Sequence, residues 1–99
     1  MGRFILSKSA EADLREIIAY IAQRSPLAAK RVKGEFRTAM RRLAEFPGLG
    51  HVRDDCADES LRFWSLYSYL IVYRAGTKPL DIARVLHGAR GLGALGSRQ

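Results

Sequence analysis

The apolar residues of this chain change their spacing once, and that change dictates the fold class. Up to Phe46 they recur at helical intervals, and from Leu61 onward they follow the period of strands. Between the two halves stands Pro47-Gly48-Leu49-Gly50, which stops a helix and in which Gly48 or Gly50 can take positive φ. A chain divided in this way lays helices on a sheet, because neither layer can bury its apolar face alone.

The helical half holds two segments. Ser7 or Ser9 caps the first, whose stripe is Ala10, Leu14, Ile17, Ile18 and Ile21. Asp13 lies in its first turns, where a carboxylate suits the positive end of the helix. Ser25-Pro26 ends this helix and opens the next, since proline fits a first helical position but not an interior one. The second helix is predicted from Pro26 to Phe46, with Ala29, Val32, Phe36, Met40 and Leu43 facing inward and Ala39 in support. So tight a junction implies an antiparallel helix hairpin. On the outer surface Lys30, Lys33, Arg37 and Arg41 share one flank, and Arg31 and Arg42 share the other with Glu35. Like charges at i and i+4 repel by about 0.2–0.5 kcal/mol per pair, so the series Lys33, Arg37, Arg41 carries a cost, and the flank is either a solvated face or a binding stripe.

The remaining elements are strands. Arg3–Leu6 reads as a short edge strand. Leu61–Leu66, a turn at Tyr67-Ser68, and Tyr69–Ala75 follow the acidic loop His51–Ser60. Gly76-Thr77-Lys78-Pro79 connects to a last strand, Leu80–His87. Strict alternation there puts Leu80, Ile82, Arg84 and Leu86 on one face and Asp81, Ala83, Val85 and His87 on the other. Neither face is purely polar, which argues for a central strand or for one with a working face opposite the helices. Phe63 and Trp64 fall on opposite faces, so one of them is expected to be exposed or covered by a partner. The fold class is therefore α+β in the order β-α-α-β-β-β, an N-terminal helix hairpin packed on a small, mainly antiparallel sheet. Residues 1–90 form a single domain, and the glycine-rich segment 91–99 forms a weakly ordered tail.

Ninety-nine residues support one core. Seventeen Lys and Arg oppose ten Asp and Glu, for a formal charge of +7, and 13 of the cations are arginine, whose planar fork suits phosphate and carboxylate. That excess points to RNA, a DNA-bound complex or an acidic protein as partner. No apolar run approaches the roughly 20 residues that cross a bilayer, the N-terminal segment is not a signal peptide, and the single Cys56 can form no internal disulfide. A cytoplasmic protein without membrane contact is expected.

Cys56, His51 and His87 lack the spacing of a metal site, and no cofactor-binding motif is present. Cys56 lies in an acidic loop, where a thiolate is disfavoured. Arg62, Arg74, Arg84, His87 and Arg90 gather in the strand half. Arginines with a histidine can hold phosphate and protonate a leaving oxygen, and Tyr67, Tyr69 or Tyr73 can place a substrate, but no carboxylate offers itself as base. The structural alternatives are an Arg84 ion pair with Asp81, Glu11 or Glu16, a His87 bonded to a backbone carbonyl, and tyrosines half-buried in the sheet with hydroxyls at its edge.

Four segments in order, LSKSAEADLREIIAYIA (6–22), RLAEFPGLG (42–50), LRFWSLYSYLIVYR (61–74) and IARVLHGAR (82–90), resemble toxins of the ParE/RelE superfamily of bacterial type II toxin–antitoxin systems. The resemblance is greatest to the ParE branch. It implies a toxin that inhibits DNA gyrase by binding, without catalysis, and is neutralised by a cognate acidic antitoxin laid over the helix hairpin and sheet. On that reading Arg62, Trp64, Arg84, His87 and Arg90 contact the target, and Lys33, Arg37 and Arg41 contact the antitoxin. The alternative implied by the RelE branch is a metal-independent endoribonuclease that cuts mRNA in the ribosome, with Arg62, Arg84 and His87 as its catalytic set. His87-Gly88-Ala89-Arg90 runs into Gly91, where many relatives carry an acidic residue, and the tail offers no Tyr or Lys to complete a nuclease site. Both features favour the ParE-like role.

Overall fold

A computed structural model describes residues 2–54 and 56–88. The elements are β1 (Phe4–Leu6), α1 (Lys8–Arg24), α2 (Pro26–Glu45), a 3-10 turn over Pro47–Leu49, β2 (Leu61–Leu66), β3 (Tyr69–Arg74) and β4 (Leu80–His87). Arg90 and the expected tail, 91–99, lie outside the described residues.

The four strands form one sheet in the order β1-β4-β3-β2. β1 runs parallel to β4, and the other two pairings are antiparallel. β4 is therefore central, the first of the two positions its partly apolar faces allow. Ser7 is the N-cap of α1: its hydroxyl accepts the Ala10 N–H at 3.0 Å and donates to the Ala83 carbonyl at 2.7 Å. Ser25 ends α1 and caps α2, accepting from Ala28 N at 3.1 Å, with Pro26 at the first helical position.

The two helices contribute unequally to the core. Ala29, Phe36, Met40 and Leu43 of α2 are buried, whereas in α1 only Ala10 is, and Leu14, Ile17, Ile18 and Ile21 stay half-buried. Phe36, Met40 and Leu43 pack with Ile71, Tyr73, Leu80, Ile82 and Val85 between helices and sheet. Truncating a residue such as Phe36 to Ala would cost about 3–5 kcal/mol.

The other face of the sheet carries a second, smaller core of Leu61, Phe63, Leu70, Val72 and Leu86. Cys56 is buried in it, so the segment that reads as an acidic loop is also a cover. His51 exchanges two backbone hydrogen bonds with Phe63, at 2.9 and 2.8 Å, and so lines the outer edge of β2. Arg53 lies over the Phe63 ring, 5.8 Å from its centroid. Phe63 is consequently buried, and Trp64 is half-buried against the helix-side core. The expectation that one of the two is exposed is corrected by this cover.

A second correction concerns β4. Val72 pairs with Arg84 but Tyr73 pairs with Ile82, so Ala83 is an extra residue at a β-bulge. The bulge breaks strict alternation. Val85 joins Leu80 and Ile82 under the helices, while Leu86 joins the opposite core. His87 falls opposite Tyr69 rather than beside Ala83 on the far face.

Tyr73 also departs from expectation. It is wholly buried, and its hydroxyl does not reach the sheet edge. It donates to the Pro47 carbonyl at 2.6 Å and accepts the Gly50 N–H at 2.8 Å, which ties the exit of α2 to the sheet. Burial pushes the phenol pKa up, so the hydroxyl stays neutral. Gly50 serves close approach, not positive φ: its φ is −73°, and an added Cβ would overlap the Tyr73 hydroxyl.

Candidate functional site

Among the described residues, the predicted target contacts Arg62, Trp64, Arg84 and His87 do not form one cluster. Arg62 stands opposite Tyr73 in the sheet register, Arg84 opposite Val72, and His87 opposite Tyr69. Leu66, not Arg62, is level with Tyr69 and His87, so Arg62 and His87 are separated by four residues along the strands, roughly 13 Å, and by two strand spacings. Arg62 is half-buried and donates to the Gly50 carbonyl at 3.3 Å. Trp64 packs on the helix-side core.

Arg84 is held in a clamp. Its Nε and Nη2 donate to the two oxygens of Asp13, at 2.7 and 3.0 Å, and Asp13 Oδ2 also accepts the Val85 N–H at 3.0 Å. β1 pairs with β4 only as far as Ile82, so beyond that point β4 would present unpaired backbone. The Asp13 carboxylate takes the place of the missing strand. The partner is thus Asp13 and not Asp81, Glu11 or Glu16; Asp81 instead lies 3.9 Å from Arg74. The hydrogen bonds to Asp13 hold the guanidinium pKa above its ordinary value.

His87 is exposed at the end of β4 and meets Tyr69 edge-to-face, with centroids 5.7 Å apart. Tyr69 in turn contacts Phe36 of α2 at 5.8 Å. Around them opens a shallow depression of about 400 Å³, lined by Arg53, Ser65, Tyr67, Ser68, Tyr69, Leu70, His87 and Gly88. Tyr67 is 59% exposed and is the one non-glycine residue at positive φ, 56°, among the described residues. Its hydroxyl donates to Glu35 of α2, and that hydrogen bond holds the phenol pKa above its usual range. The Gly88 N–H donates to the Ser68 carbonyl at 2.7 Å, closing the end of β4 onto the β2–β3 turn.

This depression brings together hydroxyls, an imidazole and a guanidinium, which suits anionic or hydrogen-bonding groups. Of the described residues expected to contact a target it contains His87 alone, with Tyr67 and Tyr69 from the tyrosines considered. Arg53 was not legible, because it precedes the carboxylates of the 51–60 segment and reads as part of that loop. Arg74 faces other work: it donates to Asp58 at 3.2 Å and also bonds Ser60. Asp58 accepts from the Ser60 hydroxyl and N–H, at 2.6 and 3.0 Å, and these bonds, with Arg74, hold its carboxyl below the usual range.

On α2, Lys33, Arg37 and Arg41 are all exposed. Arg31 approaches Glu35 at 4.0 Å on the other flank. Among the described residues no His, Cys, Asp and Glu groups are placed to hold a metal ion, and no helix is long and apolar enough to cross a membrane.

Comparison with known proteins converges on one group. Residues 4–92 match the family described as the ParE toxin of type II toxin-antitoxin system, parDE. A protein of Caulobacter vibrioides named Toxin RelE2 is 36% identical over 91 residues, covering 91% of this chain and 99% of that one. A solved structure titled "Chromosomal ParDE TA system from P. aeruginosa" matches with a TM-score of 0.69 at 20% identity, over 88% of this chain and 96% of the other.

Proposed function

Because the chain belongs to the ParE/RelE superfamily of type II toxin–antitoxin toxins, we propose that it acts in the manner of the ParE branch, inhibiting DNA gyrase by binding, in the cytoplasm, until a cognate acidic antitoxin neutralises it. The observation that carries this reading is the Arg84–Asp13 clamp. An arginine committed through two donors to a carboxylate, beside a third bond to the backbone, serves the fold and is a poor partner for a developing phosphate charge. Arg62 is likewise turned to a backbone carbonyl. What remains is a surface with His87, Tyr67, Tyr69 and Arg53, suited to gripping more than to general acid–base chemistry. The exposed series Lys33, Arg37, Arg41 offers the antitoxin a basic flank.

The test is supercoiling by purified gyrase in the presence of the isolated chain. Inhibition, or accumulation of cleaved DNA, is the expected result. Full supercoiling with no linear DNA at excess protein would refute the reading.

A second reading, ribosome-dependent mRNA cleavage, is favoured by one feature, the placement of His87 among tyrosines and Arg53 in an open depression. The relative named Toxin RelE2 adds weight to it. Here His87 would be the general acid, and a His87→Ala variant that cuts mRNA on translating ribosomes as fast as the parent would reject that role.

A further inference from the structure

We propose that Glu35 is a positioning residue, a latch on α2 that holds the β2–β3 turn in the conformation that builds the rim of the depression. Tyr67 sits at φ 56°, a region where its Cβ crowds the neighbouring peptide and where glycine or asparagine is the usual occupant. A two-residue hairpin turn calls for positive φ at its first residue, but glycine, asparagine or aspartate usually fills that place, not tyrosine. The side chain is mostly exposed, so burial does not favour tyrosine there.

The contact that supports tyrosine there is the phenol hydroxyl, which reaches across to Glu35 Oε2. A hydrogen bond to an ionised carboxylate is stronger than one between neutral groups, and here it acts at the far end of a rigid ring. Glu35 is itself prepared for this. It is half-buried, and Arg31, one turn earlier, lies against its other oxygen. The one carboxylate thus serves both Arg31 and Tyr67.

The consequence spreads through neighbours of both partners. Ser68, next to Tyr67, accepts the Gly88 N–H and so fixes the residue after His87. An added Cβ at Gly88 would stand 3.2 Å from the Ser68 carbonyl, which shows how closely the two segments fit. Phe36, next to Glu35, contacts Tyr69, and Tyr69 contacts His87. Two consecutive residues of α2 thus support the two tyrosines on either side of the turn. Sterically disfavoured residues that are held by their surroundings commonly mark functional surfaces. That this rim contacts the toxin's target rests on the reading above; the latch itself does not.

Amide hydrogen exchange measured by NMR on the isolated chain tests the latch. Glu35→Ala and Tyr67→Phe should each speed exchange at Gly88 by roughly tenfold while the amides of Ile71 and Val72 keep their protection, as local opening requires. Glu35→Gln, which retains an acceptor, should recover most of the protection. Tyr67→Gly placed in the Glu35→Ala chain should also recover it, because glycine holds positive φ unaided. Unchanged exchange at Gly88 in Glu35→Ala and Tyr67→Phe would overturn the proposal. So would an equal rise at Val72 in both, since the bond would then serve overall stability alone. Gyrase or ribosome assays play no part in these outcomes, so the latch and the proposed target fail or succeed separately.

Discussion

Replacing Tyr73 with Phe isolates the anchor between the end of α2 and the sheet. The ring is wholly buried and would stay in place, so the change removes one oxygen and little packing. Two hydrogen bonds disappear, from Gly50 N at 2.8 Å and to Pro47 O at 2.6 Å. Gly50 is buried, and its N–H would be left without this acceptor, at about 1–3 kcal/mol; the half-buried Pro47 carbonyl adds about 0.5–1 kcal/mol. We expect a net loss of about 2 kcal/mol, or roughly 8–16 °C in Tm for a domain of this size. Trp64 is the single tryptophan and packs on the same core, so urea unfolding followed by its fluorescence reports the change. The midpoint should fall with the slope unchanged. A loss under about 0.5 kcal/mol would refute the reasoning, because it would mean that water satisfies Gly50 as well as the phenol does.

Asp13→Ala should destabilise by about 1–3 kcal/mol in the same assay, since it strips a partner from the part-buried Arg84 and an acceptor from Val85 N, and Asp13→Asn should cost less. Asp58→Asn should be less stable than the parent at neutral pH. The folded-state pKa of Asp58 is depressed, so its contribution is present above the ordinary carboxylate range and is lost as pH falls through the folded value. The two unfolding curves should therefore approach each other as pH falls below the ordinary carboxylate range, which a pH series of melts would reveal. Reversing Lys33, Arg37 and Arg41 to Glu should weaken antitoxin binding most at low salt, and titration calorimetry at two ionic strengths would show whether the deficit shrinks as screening grows.

The layers and the element order were legible because periodicity reports burial directly. The α2 stripe from Ala29 to Leu43 and the alternating β2 read correctly from spacing alone, and Ser25-Pro26 marked its junction to the residue. Features that depend on one residue meeting another far along the chain were not. The bulge at Ala83 leaves no mark on the pattern, since Arg84 and Val85 read as plausibly on either face. Asp13 lies 71 positions from Arg84, and its value to the helix dipole gave a sufficient local reason for it. The loop 51–60 looks like a solvated connection because its carboxylates outnumber the side chains, Cys56 among them, that turn inward. The place of His87 at a strand end could be read, but not most of its surroundings, because Arg53, Ser65 and Ser68 belong to segments that meet only when the sheet closes.

The extra residue in β4 has a consequence for how such a gene can change. Almost anywhere else in the paired part of that strand, losing one codon would turn every later side chain over and trade Val85 for Leu86 beneath the helices. At Ala83 the same loss would only regularise the ladder and leave Val85, Leu86 and His87 on their present sides. The strand therefore holds one codon of slack, next to the end that carries its histidine.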